Sequence, residues 1–423
     1  MENYSKLSKD ELLKEYECVK QKYDTLCSKG LSLDMSRGKP SVDQLNLSLE
    51  MLDIVNEESG YKTRDGVDCR NYGGVDGIPE MKELFAEMLG VDPSRVIASN
   101  NASLNLMFDI IAGAMTHGLG GEPWAKQGNI KFLCPVPGYD RHFGITEYFG
   151  IEMINVPMTE TGPDMDIVEK LARDESVKGM WCVPKYSNPD GIVYSDETVK
   201  RLAAMKTAKD FRIMWDNAYG IHPIFGECDT LLNILDECEK AGNHDRAIVF
   251  MSTSKMTFPG AGIAAIAASD NNIAAIKRRM NSQTIGPDKL NQLRHTRFLP
   301  DMTAVTAHMQ RHAAIMAPKF ETVLNGLNAE LGGLGIAHWT KPQGGYFISM
   351  FVEKGCAKKT VEMCKNAGLV LTGAGATYPY GKDPDDSNIR IAPSFPTVAE
   401  LEVATELLCT ATRLVCLEKL ING

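Results

Sequence analysis

One rhythm in the sequence restricts the fold more than any other feature. Between about Tyr72 and Arg297, short and wholly apolar runs alternate with longer stretches of helical periodicity. RVIASN precedes a helical pattern at 102–116, IKFLCP one near 141–149 and GIEMINVP one at 165–172. KGMWCVP then precedes one at 196–206, FRIMWDNAY one at 230–240, and AIVFMSTS follows. A strand apolar on both faces must be covered on both, and parallel neighbours need crossovers, which helices supply. The pattern therefore predicts an α/β fold: a mostly parallel sheet sandwiched by helices.

After Pro300 the rhythm changes. A long helical stretch at 303–331 leads to YFISMFV, a helix at 358–367, short strands at LVLT and NIRIA, and a last helix at 398–420. The opening residues carry Leu7, Leu12, Leu13 and Tyr16 at near-helical spacing. A long connecting helix would bring the two chain ends together. The expectation is a large domain over 52–300 and a smaller α+β domain built from 1–51 and 301–423.

Charge and cysteine usage exclude several function classes. The chain has 45 basic and 55 acidic residues and no dense Lys/Arg block, which leaves nucleic acid or a polybasic membrane contact nothing to hold. Its 11 cysteines are scattered without a C-x-x-C pair, against a disulfide framework or a structural zinc site. The N-terminus is charged, and the apolar run Ile263–Ala268 is too short to span a bilayer, so a cytoplasmic location is expected. His308 and His312 stand four apart without a third ligand, so a packed or solvated pair is expected and no metal site. Gly260 and Gly262, and Gly373 and Gly375, lack the further glycine of a dinucleotide fingerprint and read as loops.

In an open parallel sheet, ligands sit at the carboxyl ends of the strands. Polar residues just after the strand patterns are Asn101, Ala102 and Ser103; Tyr139; Asn188; Asp216 and Tyr219; and Ser252, Ser254 and Lys255. Singly they are ordinary caps, turns and surface groups. Together they supply a lysine, an acid, an amide, phenols and hydroxyls, the groups that hold pyridoxal phosphate on a lysine.

At this point the sequence resembles the class I/II pyridoxal-phosphate-dependent aminotransferases of fold type I, from about Ser36 to Arg390. SNPDG at 187–191, DNAY at 216–219, STSK at 252–255 and NIRIA at 388–392 are similar to the family's motifs and stand in its order. The resemblance implies that Lys255 carries the cofactor and moves the substrate proton. Asp216 would pair with the ring nitrogen, Asn188 and Tyr219 would donate to the phenolic oxygen, and Tyr139 would stack on the ring. The phosphate would take backbone amides at Asn101, Ala102 and Ser103 and the hydroxyls of Ser252 and Ser254. Arg390 would bind the substrate α-carboxylate with Gly38 and Asn188 close by, and Tyr72 would reach the neighbour's phosphate across a homodimer.

Two departures stand out. Ile263 lies eight residues after the lysine, where the family usually has a phosphate-binding arginine, and Asn100-Asn101 replaces a glycine-rich turn. For a second substrate carboxylate, Arg37, Lys39, Arg64 and Arg141 are the candidate cations. SRGKP, NNASLN and PGYDRHF are similar to an aspartate-aminotransferase-like branch, which implies amino transfer from aspartate to 2-oxoglutarate. The alternatives are a cystathionine-type β-lyase, a transaminase for another amino acid, and a ligand-sensing regulatory domain. For the last, only some thirty residues precede SRGKP, too few for a DNA-binding unit.

Overall fold

The computed structural model describes residues 2–422. The first long helix, α1 (Lys9–Cys27), starts where its sequence directs: Ser8 and Glu11 form a reciprocal capping box. Its buried positions are Leu12, Val19 and Leu26, a seven-residue spacing, whereas Leu13 is 42% exposed. Leu13 was expected on the packed face and lies beside it, because one residue rotates the helix by about 100°.

Among the described residues thirteen strands follow in three sheets: β1 (Leu33–Asp34), β2 (Val96–Ser99), β3 (Lys131–Val136), β4 (Glu152–Thr159), β5 (Gly162–Pro163), β6 (Val177–Cys182) and β7 (Arg212–Asp216), then β8 (Ala247–Ser252), β9 (Ala264–Ala268), β10 (Ala337–Trp339), β11 (Ile348–Val352), β12 (Leu369–Val370) and β13 (Asn388–Ile391). The large sheet has the order β2-β9-β8-β7-β6-β3-β4-β5. Its centre, β4-β3-β6-β7-β8, is parallel throughout, while β9 runs antiparallel between β8 and β2 and β5 antiparallel to β4. The chain is thus an α/β protein with a mostly parallel sheet between helices. The sequence reading missed β9, because its residues AAIAA are poor strand formers by themselves. Pairing on both sides makes it a strand.

The helices that bear on the site are α2 (Ser103–His117), α3 (Asp140–Tyr148), α4 (Lys289–Phe298), α5 (Met302–Leu331) and α6 (Val398–Asn422). The helix expected at 230–240 begins only at Ile234. Asn233 caps it, and that side chain also donates to the carbonyls of Leu89 and Gly90, so a tertiary contact fixes the start.

Helix α5 joins two cores. Val305 and Met309 pack under the large sheet, whereas Met316, Phe320, Val323, Leu327 and Leu331 pack with α1, α6 and the antiparallel sheet β10-β11-β13. Parallel pairing of β1 with β12 ties the N-terminal segment to this second core. Among the described residues no helix is long and apolar enough to cross a membrane.

Candidate active site

The parallel strands end on one edge, and the expected polar residues gather there. Asp216, the last residue of β7, is 3% exposed. Its Oδ2 lies 3.0 Å from Nε2 of His142 on α3. The His142 ring stacks on Trp181 of β6, with centroids 4.3 Å apart and planes 8° apart, and meets Tyr139 edge-on at 5.0 Å. The other oxygen, Oδ1, is buried with no hydrogen-bond partner among the described residues. A carboxylate oxygen left so is costly, and the group that would satisfy it is a cationic N–H donor. A protonated pyridine nitrogen has that chemistry. His142 was not singled out from the sequence; its only signal was the helical i, i+3 spacing from Tyr139 in PGYDRHF.

Lys255 is half-buried, its Nζ 4.9 Å from the Tyr219 ring centroid and 5.8 Å from that of Tyr346. Burial pushes its ammonium pKa down, against the pull of the Asp216 carboxylate. Burial also drives the Tyr219 phenol well above its usual pKa, reinforced by Tyr139 and Asp216, so Tyr219 remains a neutral donor. Tyr139 is pushed up to about 12, chiefly by burial and then by the carboxylates of Asp216 and Asp140.

A buried polar network underlies the lysine. Tyr346 Oη donates to the Lys255 carbonyl at 3.4 Å, and Nε2 of His308 and of His312 lie 2.7 and 2.9 Å from the Met256 carbonyl. Gln44 Nε2 reaches His312 Nδ1 at 3.2 Å and Tyr346 Oη at 3.0 Å. With Nδ1 of His312 accepting from Gln44, its Nε2 carries the hydrogen that Met256 accepts. The two histidines are packed and hydrogen-bonded, and no group of three metal-binding side chains exists among the described residues.

At the other end of the site, Ala102 is the N-cap of α2 and offers no side chain to the first amides. Asn100 before it takes a left-handed φ of 60°, and Ser252 Oγ lies 3.0 Å from Ser254 Oγ. Free amides at the start of a 15-residue helix have the chemistry to hold an anion. The following loop presses close, since a Cβ on Gly262 would stand 2.9 Å from the Asn101 carbonyl oxygen. Ile263 is buried in the apolar core. Arg294 on α4, whose Nε is buried without a partner, shares the wall of a cavity of about 570 Å³ with Asn101 and Gly260–Gly262.

Arg390 projects from β13 with 5% exposure. Its Nη1 lies 2.9 Å from Asp140 Oδ1 and 3.3 Å from Asn188 Oδ1, and its guanidinium covers the Phe347 ring at 4.8 Å. Gly38 is required here by space, because a Cβ would stand 2.6 Å from Phe347 Cζ. Arg37 and Arg141 are exposed. Lys39 pairs with Asp34 at 3.2 Å, and Arg64 pairs with Glu83 at 2.6 Å. Arg64 lines a separate groove with Lys62, Glu80 and Leu293, so the fold does not bring it to the sheet edge. Tyr72 is 82% exposed, on a loop whose Tyr72 and Gly73 carbonyls accept from the buried Lys289 ammonium at 2.9 and 2.8 Å.

An acid awaiting a ring N–H, a lysine of lowered pKa and an anion cradle on one sheet edge belong to a pyridoxal-phosphate enzyme of fold type I. Comparison with known proteins agrees. The family described as aspartate amino-transferase matches residues 7–423. An aspartate aminotransferase of Corynebacterium glutamicum is 47% identical over 410 residues, covering 96% of this chain and 95% of that protein. The crystal structure of an aspartate transaminase from the same species superimposes with a TM-score of 0.97 at 45% identity, covering 99% of both chains. The fold alone is shared with the Thermus thermophilus α-aminoadipate aminotransferase LysN, solved with N-(5'-phosphopyridoxyl)-L-leucine, at a TM-score of 0.74 and 19% identity over 92% of this chain and 93% of that one. The chain belongs to the aspartate amino-transferase family and is a pyridoxal-phosphate-dependent aminotransferase.

Proposed function

We propose that this aminotransferase moves the amino group of aspartate to 2-oxoglutarate, giving oxaloacetate and glutamate. The observation that carries the chemistry is the unpartnered Asp216 Oδ1 on the edge that holds Lys255. The substrate assignment rests on the named Corynebacterium relative. When bound, pyridoxal phosphate supplies an electron sink for the pair left when the substrate Cα loses its proton.

The residues divide that work. Asp216 keeps the ring nitrogen protonated, and His142, braced on Trp181, holds the carboxylate in place. The Lys255 amine, its pKa lowered by burial, would take the proton from the substrate Cα as general base and deliver it to the cofactor carbon C4′ as general acid. Tyr219 and Asn188 would donate to the phenolic oxygen, and Tyr139 would pack against the ring. The amides of Asn101, Ala102 and Ser103 leading into α2, with Ser252 and Ser254, would take the phosphate, and Arg294 is the candidate for the cation missing at 263.

Arg390 forks the α-carboxylate beside Gly38 and Asn188, while the exposed Arg37 and Arg141 are left to meet a side-chain carboxylate. Tyr72, projected by Lys289, would complete the partner's site in a cytoplasmic homodimer. The division into 52–300 against 1–51 with 301–423 is part of the same proposal.

The test is an absorbance scan of the purified protein, followed by addition of aspartate alone. A yellow band converting to the pyridoxamine form, reversed by 2-oxoglutarate, is the expected result. Pyruvate and ammonia released from cystathionine would instead favour β-elimination, and faster turnover of aromatic or branched amino acids would overturn the substrate.

A further inference from the structure

We propose that Asp140 is the resting counterion of Arg390, which each substrate carboxylate must displace, so that Asp140 sets how weakly the site holds its substrates. The proposal rests on the reading of Arg390 as the α-carboxylate site.

All three guanidinium nitrogens are engaged. Nη1 meets Asp140 Oδ1 at 2.9 Å and Asn188 Oδ1 at 3.3 Å, while Nε and Nη2 share the Thr372 hydroxyl at 3.4 and 3.3 Å. Thr372 in turn donates to the Ser36 carbonyl, which leaves its lone pairs to the guanidinium. No edge of the fork is therefore open to an incoming carboxylate. Of the three partners only Asp140 is charged. A guanidinium this buried is costly without an anion beside it, so the substrate-free site needs a carboxylate.

Asp140 is suited to give way. It is the first residue of α3, and its side chain is 34% exposed. On leaving Arg390 it stays at the positive end of the helix and meets water, so one carboxylate can replace another at small cost. If it remained, two carboxylates would crowd one guanidinium. Either outcome weakens binding by a similar factor for the amino acid and the 2-oxo acid, because both present the same α-carboxylate. Weakening of this uniform kind falls on KM and leaves kcat.

The experiment compares the wild-type holoenzyme with Asp140→Asn and Asp140→Glu. KM for aspartate and for 2-oxoglutarate should both fall by about fivefold in Asp140→Asn, with kcat little changed. Succinate, a dicarboxylate that cannot react, should bind tighter by the same factor in calorimetry, and Asp140→Glu should stay near wild type. A rise in both KM values with weaker succinate binding would show that Asp140 aims Arg390 rather than competing for it, and the proposal would fail. A change in the aspartate KM alone would also overturn it, because Asp140 would then be reading the ammonium group. Arg390→Gln is the control: if succinate binding survives that change, the assignment of Arg390 is itself wrong, whatever Asp140 does.

Discussion

Two carboxylate oxygens of one residue have opposite fates: Asp216 Oδ2 faces His142 and Oδ1 faces no donor. That asymmetry separates the roles of the neighbours. Asp216→Ala should cripple proton abstraction while the protein still folds, because the lost group is itself a buried charge. His142→Phe keeps a ring against Trp181 but removes the hydrogen bond. It should lower kcat roughly 10-fold and leave the far-ultraviolet circular dichroism unchanged. Lys255→Ala should abolish turnover, and borohydride reduction of the wild type followed by peptide mapping should find the reduced adduct at Lys255. At this scale the sequence was informative where a motif named a residue, as in STSK, DNAY and NPDG. His142 and Tyr346 belong to no such motif, and only their three-dimensional neighbours give them a part.

Helix α5 acts at the next scale as a shaft between the two cores, and its histidines clamp the peptide that follows Lys255. His312→Leu removes one of the two donors to the Met256 carbonyl and leaves one Gln44 amide hydrogen unpaired. The loss should be about 1–3 kcal/mol of stability in a denaturant titration. The α4 N-terminus does comparable work through Lys289, which holds the carbonyls of the Tyr72 loop. Lys289→Met should loosen that loop and weaken cofactor retention, read by dialysis and the absorbance remaining. The long helix was evident from its periodicity, whereas its contact with Met256 was not. A pair of histidines four apart says only that they share a helix face, and the partner on that face is 52 or 56 residues away in sequence.

For the whole molecule, pH should act through buried groups pulling in opposite directions. His295 and His312 are pushed down to about 4, and His308 is also lowered, each chiefly by burial. Their folded pKa values lie below the unfolded value, so their contribution is full above about pH 6.5 and is lost as the pH falls towards 4. Asp190, in the turn after Asn188, runs the other way: burial raises it to about 7. Its contribution is full below the unfolded carboxylate pKa and is lost as the pH rises through 7. Asp190→Asn should therefore stabilise the protein at pH 8, by up to roughly 4 kcal/mol, and hardly at all near pH 4, as thermal melts at the two values would show.

Strand-helix alternation and the apolar character of the strands determined by themselves the α/β class and the edge on which the polar candidates gather, because side-chain periodicity and backbone hydrogen bonding are local demands. The sequence also put forward the lysine, the acid and the arginine as candidates, since the proposed chemistry needs those residue types. Only the tertiary structure decided that AAIAA is a strand, that Arg64 is drawn to Glu83 and away from the site, and that Asp140 rather than solvent meets Arg390. Each of these depends on which distant groups arrive at the same place, and the free energy of such a meeting is not written in any one segment.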